Sequence, residues 1–196
     1  MAYFPMFIQI EQKPCLVVGG GLVAKRKVRV LQDFGAVVTV VAPEVDPCIR
    51  QMEPITIYEK DFEDADLNGQ CLVVAATDQP EINHRIYDKC KEAGILINVV
   101  DDPAYCDFIF PAYRKEKDMV AAFSSSGKSP VVAQYLKEEN QNILTPLLGD
   151  INERMGELRD LLKKRYPDES ERKQVIRNML YQSLEKGEFK WNEEED

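Results

Sequence analysis

The chain has 196 residues, 44% of them hydrophobic, which suits one ordinary domain with a smaller appendage. A net charge of −9 and a pI near 4.8 argue against general nucleic-acid binding. No apolar run approaches the length of a membrane span, and the start MAYFPMFIQIEQ lacks the basic segment and apolar core of an export signal. Cysteines 15, 48, 71, 90 and 106 form an odd set without C-x-x-C spacing. They read as buried, reduced thiols of a cytoplasmic protein and as neither a disulfide framework nor a metal centre.

In chain order, the first element is the apolar run Cys15–Val18, which ends in Gly19-Gly20-Gly21 and passes directly into an amphipathic helix. Ala24, Val28 and Leu31 stand at i, i+4 and i+7, Val30 and Phe34 widen the stripe, and Gly35 is placed to end it. A strand follows over Val37–Val41, closed by Ala42-Pro43, and a short one over Ile55–Tyr58. Cys71–Ala76 is the next strand. Thr77-Asp78-Gln79-Pro80 then opens a helix to about Ala93, with Asp78 as N-cap, Pro80 and Glu81 in the first turn and Gly94 at the exit. Ile95–Val100 is a further strand, ending in Asp101-Asp102-Pro103. This alternation predicts βαβ units in a mainly parallel sheet.

The pattern then changes. Phe108–Tyr113 and Met119–Phe123 read as a strand pair around a charged turn, Arg114–Asp118. Ser124–Pro130 leads into a helix over Val131–Asn142, and the remainder reads as helices over Leu147–Arg165 and about Ser170–Lys186. Leu158, Leu161 and Leu162, with Val175, Met179 and Leu180, form apolar stripes for helix packing. Glu193-Glu194-Glu195-Asp196 reads as a solvated tail. The fold class is α/β: a Rossmann-like parallel-sheet domain over 1–112, a small α+β segment over 113–142, and a helical domain over 143–196.

Strand, glycine turn and helix N-terminus in that order build a pyrophosphate site, because glycines let the backbone approach the phosphates and the free N–H groups of the first helical turn face the anion. Against G-x-G-x-x-G/A the match is Gly19, Gly21 and Ala24. In an open parallel sheet, ligands bind outside the carboxyl ends of the strands. That rule selects Gly19–Ala24, Pro43-Glu44, Ala76-Thr77-Asp78 and Asp101. Either the Glu44 carboxylate or the backbone of Pro43-Glu44 is placed to meet a ribose, and the lack of an arginine just after that strand leans toward NAD over NADP. Asp101 reads equally as a reactive carboxylate and as a turn cap. His84, the lone histidine, reads as a surface or packing residue of its helix. Ala122–Ser129 approaches the phosphate-binding G-x-x-x-x-G-K-[ST], but alanine replaces the first glycine. Its hydroxyls and Lys128 read better as a helix cap that meets substrate carboxylates. A triphosphatase is therefore a minor alternative.

The opening Phe4–Phe7 with LVVGGGLVAKRK, the strand end Val41-Ala-Pro43, VVAATDQPEINHRI, and NVVDDPAYCDFIFPA followed by SSSGKSP together closely resemble the precorrin-2 dehydrogenase family, also found as the N-terminal part of fused siroheme synthases. The likeness is strong over about 1–140, and this chain looks like the stand-alone form. The resemblance implies NAD-dependent oxidation of precorrin-2 to sirohydrochlorin, with iron chelation as a second activity of some relatives. It implies a homodimer formed through about 113–142, with the tetrapyrrole in a cleft between domains. Nucleotide contacts carry over to Gly21, Leu22, Val23, Pro43, Glu44, Thr77 and Asp78, beside Gly19 of the turn. The essential aspartate matches Asp101 and the pocket serine Ser125, while Ser126 and Lys128 depart from the family pattern. Because precorrin-2 is a polycarboxylate, a local basic rim including Lys128 and Arg114 is expected. The competing reading is a non-catalytic NAD(H)-sensing module.

Overall fold

The computed structural model describes residues 3–191, in two compact units that meet in sequence at Phe110 and Pro111. The acidic run at 193–196 lies outside the described residues.

The first unit contains β1 (Pro14–Val18), α1 (Leu22–Asp33), β2 (Val37–Val41), α2 (Pro47–Arg50), β3 (Ile55–Tyr58), β4 (Leu72–Ala75), α3 (Pro80–Ala93) and β5 (Leu96–Val99). Its five strands are all parallel, in the order β3-β2-β1-β4-β5. Since β1 is central, Cys15 to Val18 are all buried, and alternate residues serve opposite faces. Cys15 and Val17 pack with Ala24, Val28 and Leu31 of α1 and Ile49 of α2. Leu16 and Val18 pack with Ile86 and Cys90 of α3. The chain runs outward from β1 to one edge, then returns to β4 on the other side. The switch point therefore lies between the carboxyl ends of β1 and β4.

Two expectations in this unit are corrected. The N-cap of α3 is Gln79 with Pro80 at the first helical position, so Asp78 stands outside the helix, while Gly94 ends it in the left-handed region at φ 68° as expected. The helical turn α2 was not foreseen. Asp46 caps it by accepting a hydrogen bond from the Cys48 N–H at 2.7 Å, with Pro47 next.

The second unit holds the antiparallel pair β6 (Ala112–Glu116) and β7 (Met119–Phe123), then α4 (Pro130–Glu139), α5 (Pro146–Arg165) and α6 (Glu169–Lys186). The hairpin is displaced from the expected one. Arg114 and Lys115 lie within the strand, opposite Ala121 and Val120, and Lys117 takes the left-handed turn position at φ 51°. Their long aliphatic stems let charged residues occupy a strand. Phe108 and Phe110, expected in that strand, pack instead against the core of the first unit. Ser129, Thr145 and Asp168 cap the three helices by accepting from the N–H groups of Val132, Leu148 and Glu171. Leu162, Tyr166 and Met179 form the α5–α6 core, whereas Leu161 is 42% exposed and lies off the packed face.

Candidate functional site

At the carboxyl ends of β1 and β4 the glycines divide their work. Gly19 has φ 128°, and a Cβ there would stand 2.3 Å from the Ala76 carbonyl oxygen, so this residue lets two strand ends approach each other. A Cβ on Gly20 would stand 1.9 Å from the Glu44 carbonyl oxygen, against which the turn is pressed, and the Asp46 N–H donates to the Gly20 carbonyl at 2.9 Å. Gly21, the N-cap of α1, faces open space: a Cβ there would meet nothing within 4 Å. The first and second glycines thus serve packing, and the third keeps room above the first turn of α1. That turn carries no acidic residue, and its N–H groups have no intrahelical acceptor. Ala24 is fully buried, which allows α1 to lie close to the sheet.

Two adjoining cavities open over this turn. One, of about 460 Å³, is lined by Gly19–Gly21, Pro43, Glu44, Thr77, Asp78 and, from the chain after β3, Asp61 and Phe62. The other, of about 550 Å³, is lined by Gly21, Leu22, Val23, Thr77, Asp78, His84 and Asp101-Asp102. Gly21, Ala76, Thr77 and Asp78 belong to both. All eight residues expected to contact a nucleotide, together with Asp101, therefore border one pair of cavities, each of ligand-binding size. Arg50, the first arginine after β2, is engaged by both carboxylate oxygens of Glu59, one at 2.8 Å.

The loops around these cavities are held by groups that the sequence reading did not single out. Asn83 is buried on the inner face of α3. Its Oδ1 accepts from the Thr77 N–H at 3.2 Å and the Thr77 hydroxyl at 2.7 Å, and its Nδ2 donates to the Thr77 carbonyl at 3.1 Å. Asn98, buried in β5, donates to the Phe108 carbonyl at 2.9 Å. The Ile97 carbonyl accepts from the Asp107 N–H at 2.9 Å, and the Cys106 thiol donates to the Val99 carbonyl at 3.1 Å. Asp101 lies on the loop so anchored, in the left-handed region at φ 61°, a conformation few non-glycine residues adopt. The legible signal for Asn83 is an amide three residues before Ile86 and seven before Cys90, on the apolar stripe of a helix.

Lys27 sits 4.0 Å from the centre of the Phe110 ring. Burial is the main cause lowering its pKa, with Arg26 adding to the effect and the nearby Asp101 carboxylate opposing it. Lys27 of α1 thus lies near Asp101. His84 Nε2 lies 2.9 Å from Asp102 Oδ2, so the lone histidine is hydrogen-bonded to this carboxylate on the cavity wall.

The remaining expected residues lie in the second unit. Ser125 accepts from the Ser129 N–H at 3.0 Å through its hydroxyl and from the Lys128 N–H at 3.2 Å through its carbonyl, while Gly127 takes φ 77°. Lys128 is exposed. Arg114 is half-buried in β6, and its Nε is buried with no hydrogen-bond partner among the described residues. Of the five cysteines, all free, Cys15 and Cys90 are buried; Cys48 is exposed, contrary to expectation. Burial pushes the Cys15 and Cys90 thiols up to about 12. No helix among the described residues is long and apolar enough to cross a membrane.

Comparison with known proteins adds relatives and a family. The chain is 42% identical to siroheme synthase 1 of Aeromonas salmonicida (strain A449) over 183 residues, covering 92% of this chain and 39% of that protein. It is 41% identical to siroheme synthase 2 of Pectobacterium atrosepticum over 169 residues, covering 85% of this chain and 37% of that one. It thus spans well under half the length of these relatives. The fold is that of SirC, a precorrin-2 dehydrogenase, with a TM-score of 0.67 at 23% identity over 90% of this chain and 89% of that one. Residues 6–112, more than half of the chain and the part that carries both cavities, match the family described as putative NAD(P)-binding, and the chain belongs to that family.

Proposed function

We propose that the protein oxidises precorrin-2 to sirohydrochlorin with NAD⁺, in the cytoplasm, as a step toward siroheme. The observation that carries this reading is the pair of joined cavities with Asp101 on the wall of one, in a chain about two-fifths identical to siroheme synthases. Bound NAD⁺ supplies the hydride acceptor. The chain's own residues bind, align and move a proton.

Gly21, with the N–H groups of Leu22 and Val23, receives the pyrophosphate over the turn that Gly19 shapes. Pro43 and Glu44 meet the adenosine ribose, and Thr77-Asp78, clamped by Asn83, borders both halves of the cofactor. Among the described residues no arginine lines the cavity at Pro43 and Glu44, which supports NAD over NADP. Loss of a hydride leaves a cationic macrocycle that must release a proton, and Asp101 accepts it or holds the pyrrole N–H from which it departs. Ser125, Lys128 and Arg114 bind the substrate carboxylates. Val131, Val132 and Tyr135, exposed on α4, supply the apolar contact of a homodimer through residues 113–142.

Mixing the protein with precorrin-2 and NAD⁺ tests the reading. NADH and the sirohydrochlorin spectrum should appear together in equal amounts. NAD⁺ binding without turnover would instead favour the sensing module.

A further inference from the structure

His84 and Asp102 are 18 residues apart in sequence, and their side chains meet at 2.9 Å on the wall of the cavity that also contains Asp101. The imidazole is held in two further ways. It stacks on Tyr105, with ring centres 3.9 Å apart and planes 17° apart, and Tyr105 is braced edge-on by Tyr87 at 4.9 Å. The two side chains of the pair are 38% and 36% exposed, a setting in which an ion pair adds little to stability. What the arrangement does supply is a fixed imidazole orientation. A carboxylate on one ring nitrogen sets the tautomer and leaves the other nitrogen free to accept a proton. Nδ1 has no hydrogen-bond partner among the described residues.

Resting on the proposed dehydrogenase reading, we propose that the His84–Asp102 pair is a second acid–base group of this site, which takes up the proton released by substrate oxidation and passes it to solvent. The step balances. The substrate carbon gives a hydride to the nicotinamide, its ring system gives a proton to neutral His84, and the imidazolium returns that proton to water through its exposed edge. Asp102 and Tyr105 are positioning residues in this scheme, and Asp101 holds the pyrrole N–H from which the proton departs to His84.

The chain has one histidine, so its Cε1–H proton resonance needs no assignment. NAD⁺ binding, measured separately by calorimetry, should shift that resonance. If NAD⁺ binds and the resonance stays still, the inference falls while the proposed function stands. If NAD⁺ does not bind, or binds without supporting oxidation of precorrin-2, both fall.

Kinetics supply the second readout. His84→Gln should lower kcat about 100-fold while leaving the Kd for NAD⁺ unchanged. Added imidazole should restore part of the activity of His84→Ala, and Asp102→Asn should show a smaller loss in kcat. Full kcat in His84→Gln would overturn the assignment. So would a loss in His84→Ala that imidazole does not relieve, since a merely structural residue cannot be replaced by a diffusing base.

Discussion

The loop that carries Asp101 and the turn that carries Ser125 were both read from the sequence as parts of a site, yet they are held in different ways. The first is pinned from outside: Asn98 grips Phe108, Asp107 pairs with Ile97, and Cys106 reaches back to Val99. Asn83 does the same for the neighbouring Thr77 loop. The Ser125 turn holds itself, because Ser124 accepts from the Ser126 N–H and Ser125 from the Ser129 N–H, all within six residues. A loop fixed by buried amides from other elements is preorganised by the whole domain. A turn closed by its own hydroxyls depends only on local chemistry. Precise positioning for a reaction belongs to the first kind.

Substitutions test that contrast. The largest effect is expected at the carboxylate proposed to act on the substrate: Asp101→Ala should lower kcat about 1000-fold with the Kd for NAD⁺ unchanged, checked by steady-state kinetics and calorimetry. Next comes the glycine turn. Gly20→Ala forces a Cβ onto the Glu44 carbonyl and should cost about 3 kcal/mol in urea unfolding. Gly21→Ala meets open space, so its stability should change by less than about 1 kcal/mol while NAD⁺ binds about tenfold more weakly. Equal stability losses at the two positions would refute the division of labour between them.

Asn83→Ala leaves the Thr77 N–H without its side-chain acceptor and should cost about 2 kcal/mol, together with weaker NAD⁺ binding. The matching change in the self-held turn, Ser129→Ala, removes one helix cap and should cost about 1 kcal/mol without altering NAD⁺ affinity. A separate effect concerns alkaline pH. The Cys15 and Cys90 thiols stand near 12 when folded, above their ordinary 9.0. The stability from keeping them neutral is complete below pH 9.0 and declines as pH rises from there toward 12, because the unfolded thiols ionise first. Thermal melts across that range check the sign, and alkylation of the native protein should label exposed Cys48 before either buried thiol.

Much of the nucleotide half was legible because its signals are local. The apolar runs that became β1, β2, β4 and β5, the glycine turn and the stripe of Ala24, Val28 and Leu31 each lie within a dozen residues. The brackets on the second unit were less sharp. Arg114 and Lys115 look like turn residues by charge, and only cross-strand pairing with Ala121 and Val120 draws them into β6. Asp78 looks like a cap by type, but Pro80 at the first helical position moves the cap to Gln79.

The alternating strands and helices, the place of the glycine turn, and which loops follow strand ends were written in short stretches of chain, since backbone preference and side-chain period act over a few residues. Long-range packing set the rest: Asn83 clamps Thr77, Asp101 is held at positive φ, and His84 meets Asp102 beside Tyr105. Those contacts depend on the order in which strands lie in the sheet, and that order is set by the packing of both faces at once. No short stretch of the chain carries it.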